Sequence, residues 1–211
     1  MAKMGRPRTF DRDEAINQAM LLFWEYGYES TSLSLLKAGM GGISAPSFYA
    51  AFGSKEALFK EVVIRYIDTY GQVRMSLWDQ TLSPKEAIEL TLRRSAKMQT
   101  ECSHPPGCLL VLSASVCSPE HDHIQKLLAD ARGQVRQGFA ACIQRAIDNG
   151  ELASEKDPAV MAAMFDSFLS GFSTLARDGV PLSVLESSIT QLMKVWDSKV
   201  NNSCEHYDQF R

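Results

Sequence analysis

The stretch at residues 43–59, ISAPSFYAAFGSKEALF, constrains the chain more than any other. It reads as a short helix, a tight break and the opening of a longer helix. Ser44 is placed to cap the first helix, Pro46 falls in the first turn where its missing N–H costs nothing, and Gly53 ends the segment. Ser54 then caps the next helix, which opens Lys-Glu-Ala-Leu-Phe. A helix of about two turns is not stable alone, so this one must dock, and Phe48 and Phe52, four apart, give it an apolar edge. Its other face carries Ala45, Ser47, Tyr49 and Ala51, small or hydroxylated groups that can approach a surface closely. Such a helix suits the major groove of DNA.

Residues 31–40, TSLSLLKAGM, precede it with Leu33, Leu36 and Met40 at helical spacing. Gly41-Gly42 break the chain between the two. Helix, glycine turn and helix make a helix-turn-helix unit. Over residues 5–59 the sequence resembles the DNA-binding domain of TetR-family transcriptional repressors. The shared features are the basic arm GRPR, the first helix FDRDEAINQAMLLFWEYGYESTS and the block S-x-P-S-F-Y-x-x-F-x-S-K-E-x-L-F. The turn AGMGGIS departs from the family by one extra residue, which would re-aim the second helix.

The resemblance implies a homodimeric repressor that binds a palindromic double-stranded DNA operator and is released by a small-molecule effector. Carried onto this chain, it makes Ser44, Ala45 and Ser47 the groove-facing group and Tyr49 and Lys55 phosphate contacts. Of Thr31 and Ser32, one caps the second helix and the other reaches DNA. Arg6 and Arg8 contact the minor groove or phosphate.

Charge distribution agrees with that footprint. The chain of 211 residues has a formal charge of −3, yet residues 1–10 hold Lys3, Arg6 and Arg8 with no acid. Residues 61–211 carry 15 basic and 19 acidic side chains, a net of −4. A basic arm on a mildly acidic body favours a local DNA contact. Apolar content of 45% and charged content of 22% are ordinary for a globular protein. No apolar run approaches the ~18 residues of a membrane span, and no apolar h-region follows the basic start, so neither membrane nor signal peptide is expected. Five cysteines without scaffold spacing fit reduced thiols in the cytoplasm.

The whole chain reads as all-α. A basic flexible arm (1–10) leads into a three-helix head (11–56), then a helical ligand-binding and dimerisation body (57–200) and a tail (201–211). Within the head, a first helix over 11–26 ends at Gly27, with Phe23 and Trp24 expected against the recognition helix. The helix leaving Ser54 is expected to run unbroken towards Trp78 and to act as the lever between head and body. Ser83-Pro84-Lys85-Glu86 combines an N-cap, an N1 proline and a capping-box glutamate, and opens a helix to about Thr100. The apolar run 108–117, CLLVLSASVC, reads as a buried helix, with a strand left open by periodicity. Three further helices follow over about 118–148, 158–177 and 182–199.

Two features of the body bear on function. Phe165, Phe168 and Phe172 line one helix and Leu185, Ile189, Leu192 and Trp196 the next. One such stripe can bury a helix in its own domain; the resemblance implies instead a four-helix dimer interface through Phe165, Phe168, Phe172, Ile189, Leu192 and Trp196. An apolar effector pocket is expected from Tyr66, Tyr70, Met98, Cys108, Leu109, Phe139 and Met164, although ordinary packing would use the same residue types.

The second feature is Cys102, His104, Cys108, Cys117, His121 and His123. If 108–117 is helical, its ends stand about 14 Å apart, so these groups cannot share one metal. The half-sets Cys102/His104/Cys108 and Cys117/His121/His123 each have too few ligands for a closed site unless a partner joins, and no metal or cofactor is expected. Cys108, after Pro-Pro-Gly at a helix start, is placed where a thiol pKa falls. Two readings stay open: a buried structural thiol, or, as the resemblance implies for the Gly-Cys-Leu segment, a redox-sensing thiol that responds to electrophiles or oxidants. A cysteine-dependent enzyme pairing Cys108 with His104 lacks an orienting third group and any oxyanion-hole motif, and is rejected.

Overall fold

The computed structural model describes residues 11–113 and 117–197. Nine α-helices and two short 3-10 segments account for the regular structure there, and no strand occurs among the described residues. Helix α1 (Arg12–Ser30) is capped by Asp11, whose carboxylate accepts from the N–H groups of Asp13 and Glu14. At Gly27 the backbone turns to φ 78°, a conformation that favours glycine, and the helix kinks there. Helices α2 (Leu33–Gly39) and α3 (Ala45–Phe52) are capped by Ser32 and Ser44, and α4 (Lys55–Asp68) by Ser54. Each cap is worth about 1 kcal/mol. For α3 docking matters more: Phe48 and Phe52 are 0% and 4% exposed, worth about 1.5–3 kcal/mol each.

The expected unbroken helix from Ser54 to Trp78 is corrected: α4 stops at Asp68, and a 3-10 segment (Tyr70–Trp78) follows. Side chains explain the break. Thr69 Oγ1 donates back to the Arg65 carbonyl at 2.7 Å and Gln72 Nε2 to that of Ile67 at 3.1 Å, so carbonyls of the last turn are taken locally. Gly71 permits the tight approach that follows, since a Cβ there would lie 3.3 Å from the Tyr66 carbonyl.

In the body, α5 (Pro84–Thr100) has the expected capping box between Ser83 and Glu86. The run at 108–117 is not a long helix. Among its described residues only α6 (Leu109–Leu112) forms, with Cys108 as its N-cap, and 114–116 lie outside them. Ser113 stops it because both its polar groups are used by α1: its hydroxyl donates to the Phe23 carbonyl at 3.0 Å, and its carbonyl accepts from Tyr28 N–H at 2.7 Å. Helices α7 (Asp122–Asp148), α8 (Pro158–Arg177) and α9 (Leu182–Asp197) complete the body.

Two apolar clusters result. One joins the head to the body, running from Phe23, Phe48 and Phe59 through Tyr66 to Met98, Leu109 and Ile124. The other lies within the body, around Leu92, Phe139, Phe165, Phe172 and Ile189. By length and composition alone α8 could cross a membrane (20 residues, mean hydropathy 1.3), contrary to the expectation that no run is long enough. Here it packs on α7, with Phe165 and Phe172 in the core and Asp166 paired to Arg136 at 2.9 Å.

Candidate functional site

The head presents α3 edge-on. With Phe48 and Phe52 turned inward, Ser44, Ser47 and Tyr49 are exposed, Tyr49 by 52%, and Ala45 is half-buried. Ser44 and Ser47 share a hydroxyl–hydroxyl bond of 2.8 Å while Ser44 caps the helix. The outward surface is therefore short-chained apart from Tyr49, as a groove-entering helix requires.

The flanking residues divide. Ser32 is exposed and accepts from Leu35 N–H as the cap of α2. Thr31 is fully buried, its hydroxyl donating to the Gly27 carbonyl at 2.6 Å. A DNA contact by Thr31 is corrected: the hydroxyl closes the Gly27 kink instead. Lys55 is half-buried, with its ammonium 4.4 Å from the centre of the Tyr28 ring and 3.5 Å from the Glu29 carbonyl. Burial lowers its pKa and Glu29 opposes the shift. Arg6 and Arg8 lie outside the described residues.

Beneath the head, Phe23 packs edge-on against Phe59 at 4.9 Å. Trp24 turns the other way, contrary to expectation. Its ring stacks on His104 at 4.4 Å and meets Tyr66 and Tyr70 edge-on at 4.9 Å, and its Nε1–H donates to the Gly107 carbonyl at 3.1 Å. Gly107 needs to be glycine, since φ is +87° and a Cβ would meet the Ser173 carbonyl at 2.9 Å. Polar bonds reinforce this junction. Glu29 accepts from Ser118 N–H at 2.9 Å and from His121 Nδ1 at 2.7 Å, and Glu56 pairs with His123 at 3.1 Å. The Ser118 backbone bond, then His121, hold the Glu29 carboxyl down at about 2.

Behind the junction is a cavity of about 60 Å³. Of the expected pocket residues, Tyr66, Met98 and Cys108 line it; Tyr70, Leu109, Phe139 and Met164 do not. Leu109 and Phe139 are fully buried in the two cores, where side chains that fill space leave none for a ligand. Tyr70 packs on Trp24 and His104, and Met164 against the body core. The sequence reading missed Arg74, Arg132 and Asp166, which also face the cavity. Isolated charges between apolar neighbours were the available signal.

Cys108 does not have the lowered thiol pKa that its helix-start position suggests. A single turn of helix supplies little dipole, and burial pushes the thiol pKa up. Its sulfur accepts from the Tyr66 hydroxyl at 3.3 Å, while His104 Nδ1–H donates to the Pro105 carbonyl at 3.0 Å. Neither contact pairs Cys108 with His104 for nucleophilic chemistry. Among the described residues no group of three or more His, Cys, Asp and Glu comes together to hold a metal ion.

The apolar stripes on α8 and α9 also resolve differently from the expectation. Phe165, Phe172, Ile189 and Trp196 are at most 6% exposed within this one chain, so they build its core and not a subunit contact. Phe168 and Leu192 are half-buried. The outward side of the two helices carries Val160, Gly171, Leu175 and Val184 instead.

A capped, edge-docked helix after a glycine turn, on an all-helical body with an internal cavity, defines a helix-turn-helix regulator of transcription. Residues 15–62 match "Bacterial regulatory proteins, tetR family", and residues 84–178 match "Tetracyclin repressor-like, C-terminal domain". The HTH-type transcriptional repressor ComR of Escherichia coli (strain K12) is 30% identical over 197 residues, covering 93% of each chain. The HTH-type regulator YezE of Bacillus subtilis (strain 168) is 26% identical, over 92% of this chain and 100% of that one. A cysteine mutant of the TetR family regulator CifR, complexed with 26-bp double-strand operator DNA, superimposes with a TM-score of 0.84 at 37% identity. That match covers 90% of this chain and all of CifR. The chain belongs to the tetR family of bacterial regulatory proteins, and it is a DNA-binding transcriptional regulator, not an enzyme.

Proposed function

We propose that the chain is a cytoplasmic homodimeric repressor, released from a palindromic operator by a small-molecule effector bound in the cavity beside Tyr66 and Cys108. One observation carries this reading. The single turn α6 offers Leu110 and Val111 to the cavity, and its next residue, Ser113, holds the end of α1 by two hydrogen bonds. Anything that displaces α6 moves the base of the head. The likeness to a regulator bound to operator DNA supports the DNA half of the proposal.

In this reading Ser44, Ala45 and Ser47 meet base edges, and Ser32, Tyr49 and Lys55 meet phosphates. Lys55 leaves the Tyr28 ring to do so, exchanging a cation–π contact for a full anion. The outward residues Val160, Gly171, Leu175 and Val184, with Phe168 and Leu192 at their edge, face the second subunit. The effector must bind one head spacing more tightly than the other, since equal affinity for both shifts nothing.

A second reading rests on the Cys108 sulfur lining the cavity: a reactive compound modifies it. The raised thiol pKa favours the reversible reading. Titrating the protein–operator complex with apolar electrophiles and unreactive apolar compounds separates them, using native protein and Cys108→Ser. Reversible binding predicts equal release from both proteins by unreactive compounds. Release of native protein alone, by electrophiles alone, would establish the covalent reading instead.

A further inference from the structure

The cavity wall mixes apolar side chains with Ser95, Gln99, Ser170 and three charged groups, and those charges are unequally satisfied. Arg132 donates to the Leu110 carbonyl, and Asp166 is held by Arg136 at 2.9 Å. Arg74 has no such partner. Its Nε and Nη1 are buried without a hydrogen-bond partner among the described residues. Asp68 and the Tyr66–Cys108 pair act on it only at a distance, and burial lowers its pKa. Buried guanidinium N–H groups are normally bonded, so this one is arranged for a ligand or for water.

Its position favours a ligand. Arg74 lines the cavity on one side, and on the other a surface groove with Met75, Trp78, Gln134, Gln137 and Gly138. Gly138 leaves room for the Trp78 indole in that groove, since a Cβ at 138 would lie 3.0 Å from it. The side chain therefore stands between solvent and the interior, next to Val73, Met98, Val135 and Leu169.

We propose that Arg74 binds the carboxylate of the effector, so that the ligand class is a compact organic monoanion whose apolar part enters the cavity beside Cys108. Two arginines and one aspartate leave the wall one net positive charge, which matches one negative charge, and a carboxylate accepts a charge-assisted bond from a guanidinium N–H. A dianion would leave one negative charge uncompensated at that wall. This assignment rests on the cavity being the effector site.

The test uses the full-length protein with benzoate, butyrate and their neutral amides as probes. Binding is read by calorimetry, and release of a selected operator fragment by fluorescence anisotropy. Native protein is expected to bind at least one of the two carboxylates at least tenfold more tightly than its amide and to release DNA with it. Arg74→Gln should lose the preference, and Arg74→Lys should retain part of it; circular dichroism confirms that both fold. Equal affinity for acid and amide, a preference that survives in Arg74→Gln, or no binding of either carboxylate overturns the anion assignment. If neutral apolar compounds still release DNA in that case, the effector site stands and only the ligand class falls. Carboxylate binding that depends on Arg74 but leaves the operator complex intact upholds the anion site and refutes its role as effector site.

Discussion

Trp24→Phe should weaken the head and the body together. The indole is fully buried and is the donor to the Gly107 carbonyl, 3.1 Å away. Phenylalanine has no donor, and leaving that carbonyl unpaired in the interior costs about 1–3 kcal/mol. The smaller ring also loses part of the stack on His104, worth about 1 kcal/mol. The sum, about 2–4 kcal/mol, is a large fraction of a typical total of about 5–15 kcal/mol. It corresponds to a fall in Tm of roughly 5–15 °C for a chain of this length. Urea unfolding followed by circular dichroism, at fixed protein concentration, measures it. One apolar cluster spans both parts, so a single transition should shift as a whole. A loss under about 1 kcal/mol, or a separate early transition of the head alone, would refute the account of Trp24 as the joint.

Gly171→Glu should give monomers that stay folded. A Cβ at 171 meets nothing within 4 Å, and replacing a mid-helix glycine gains up to about 1 kcal/mol of helix propensity, while the charge lies on the face proposed for the second subunit. Light scattering that still reports a dimer would count against the outward face of α8 as the interface; Trp196→Glu, by contrast, should unfold the chain because that ring is 6% exposed. Glu29 contributes stability above its unfolded pKa, because its folded pKa is lowered from 4.5 to about 2. That contribution should fade as pH falls from about 4.5 to about 2 and be absent from the pH slope of Glu29→Gln, as urea midpoints across that range would show.

Much of this was legible in the residues because it is local. Caps at Ser32, Ser44, Ser54 and Ser83, the glycine stops and the docking edge of α3 depend on neighbours within four positions. The errors came where particular side-chain hydrogen bonds decide, some of them local and some between distant residues. Thr69 and Gln72 ended α4 by taking carbonyls of its last turn, and Ser113 ended α6 because α1 claimed both its polar groups. Periodicity revealed the stripes on α8 and α9 but not what they face, since a core stripe and an interface stripe have the same spacing. Phe165 and Ile189 proved to be core. Arg74 escaped notice because its significance is a missing partner, which only three-dimensional placement reveals.

The central claim is that α3 reads an operator, and the direct measurement is DNA binding by variants of its exposed face. Fragments selected from genomic DNA by the purified protein should share two half-sites whose centres lie about 34–36 Å apart, or a multiple of that. On those fragments Tyr49→Phe should lose about 1 kcal/mol, about fivefold in Kd, whatever the sequence, because a phosphate contact carries no sequence information. Ser47→Gln should change which sequence is preferred. Unchanged affinity in the first variant and unchanged preference in the second would contradict the assignment of α3 as the reading helix.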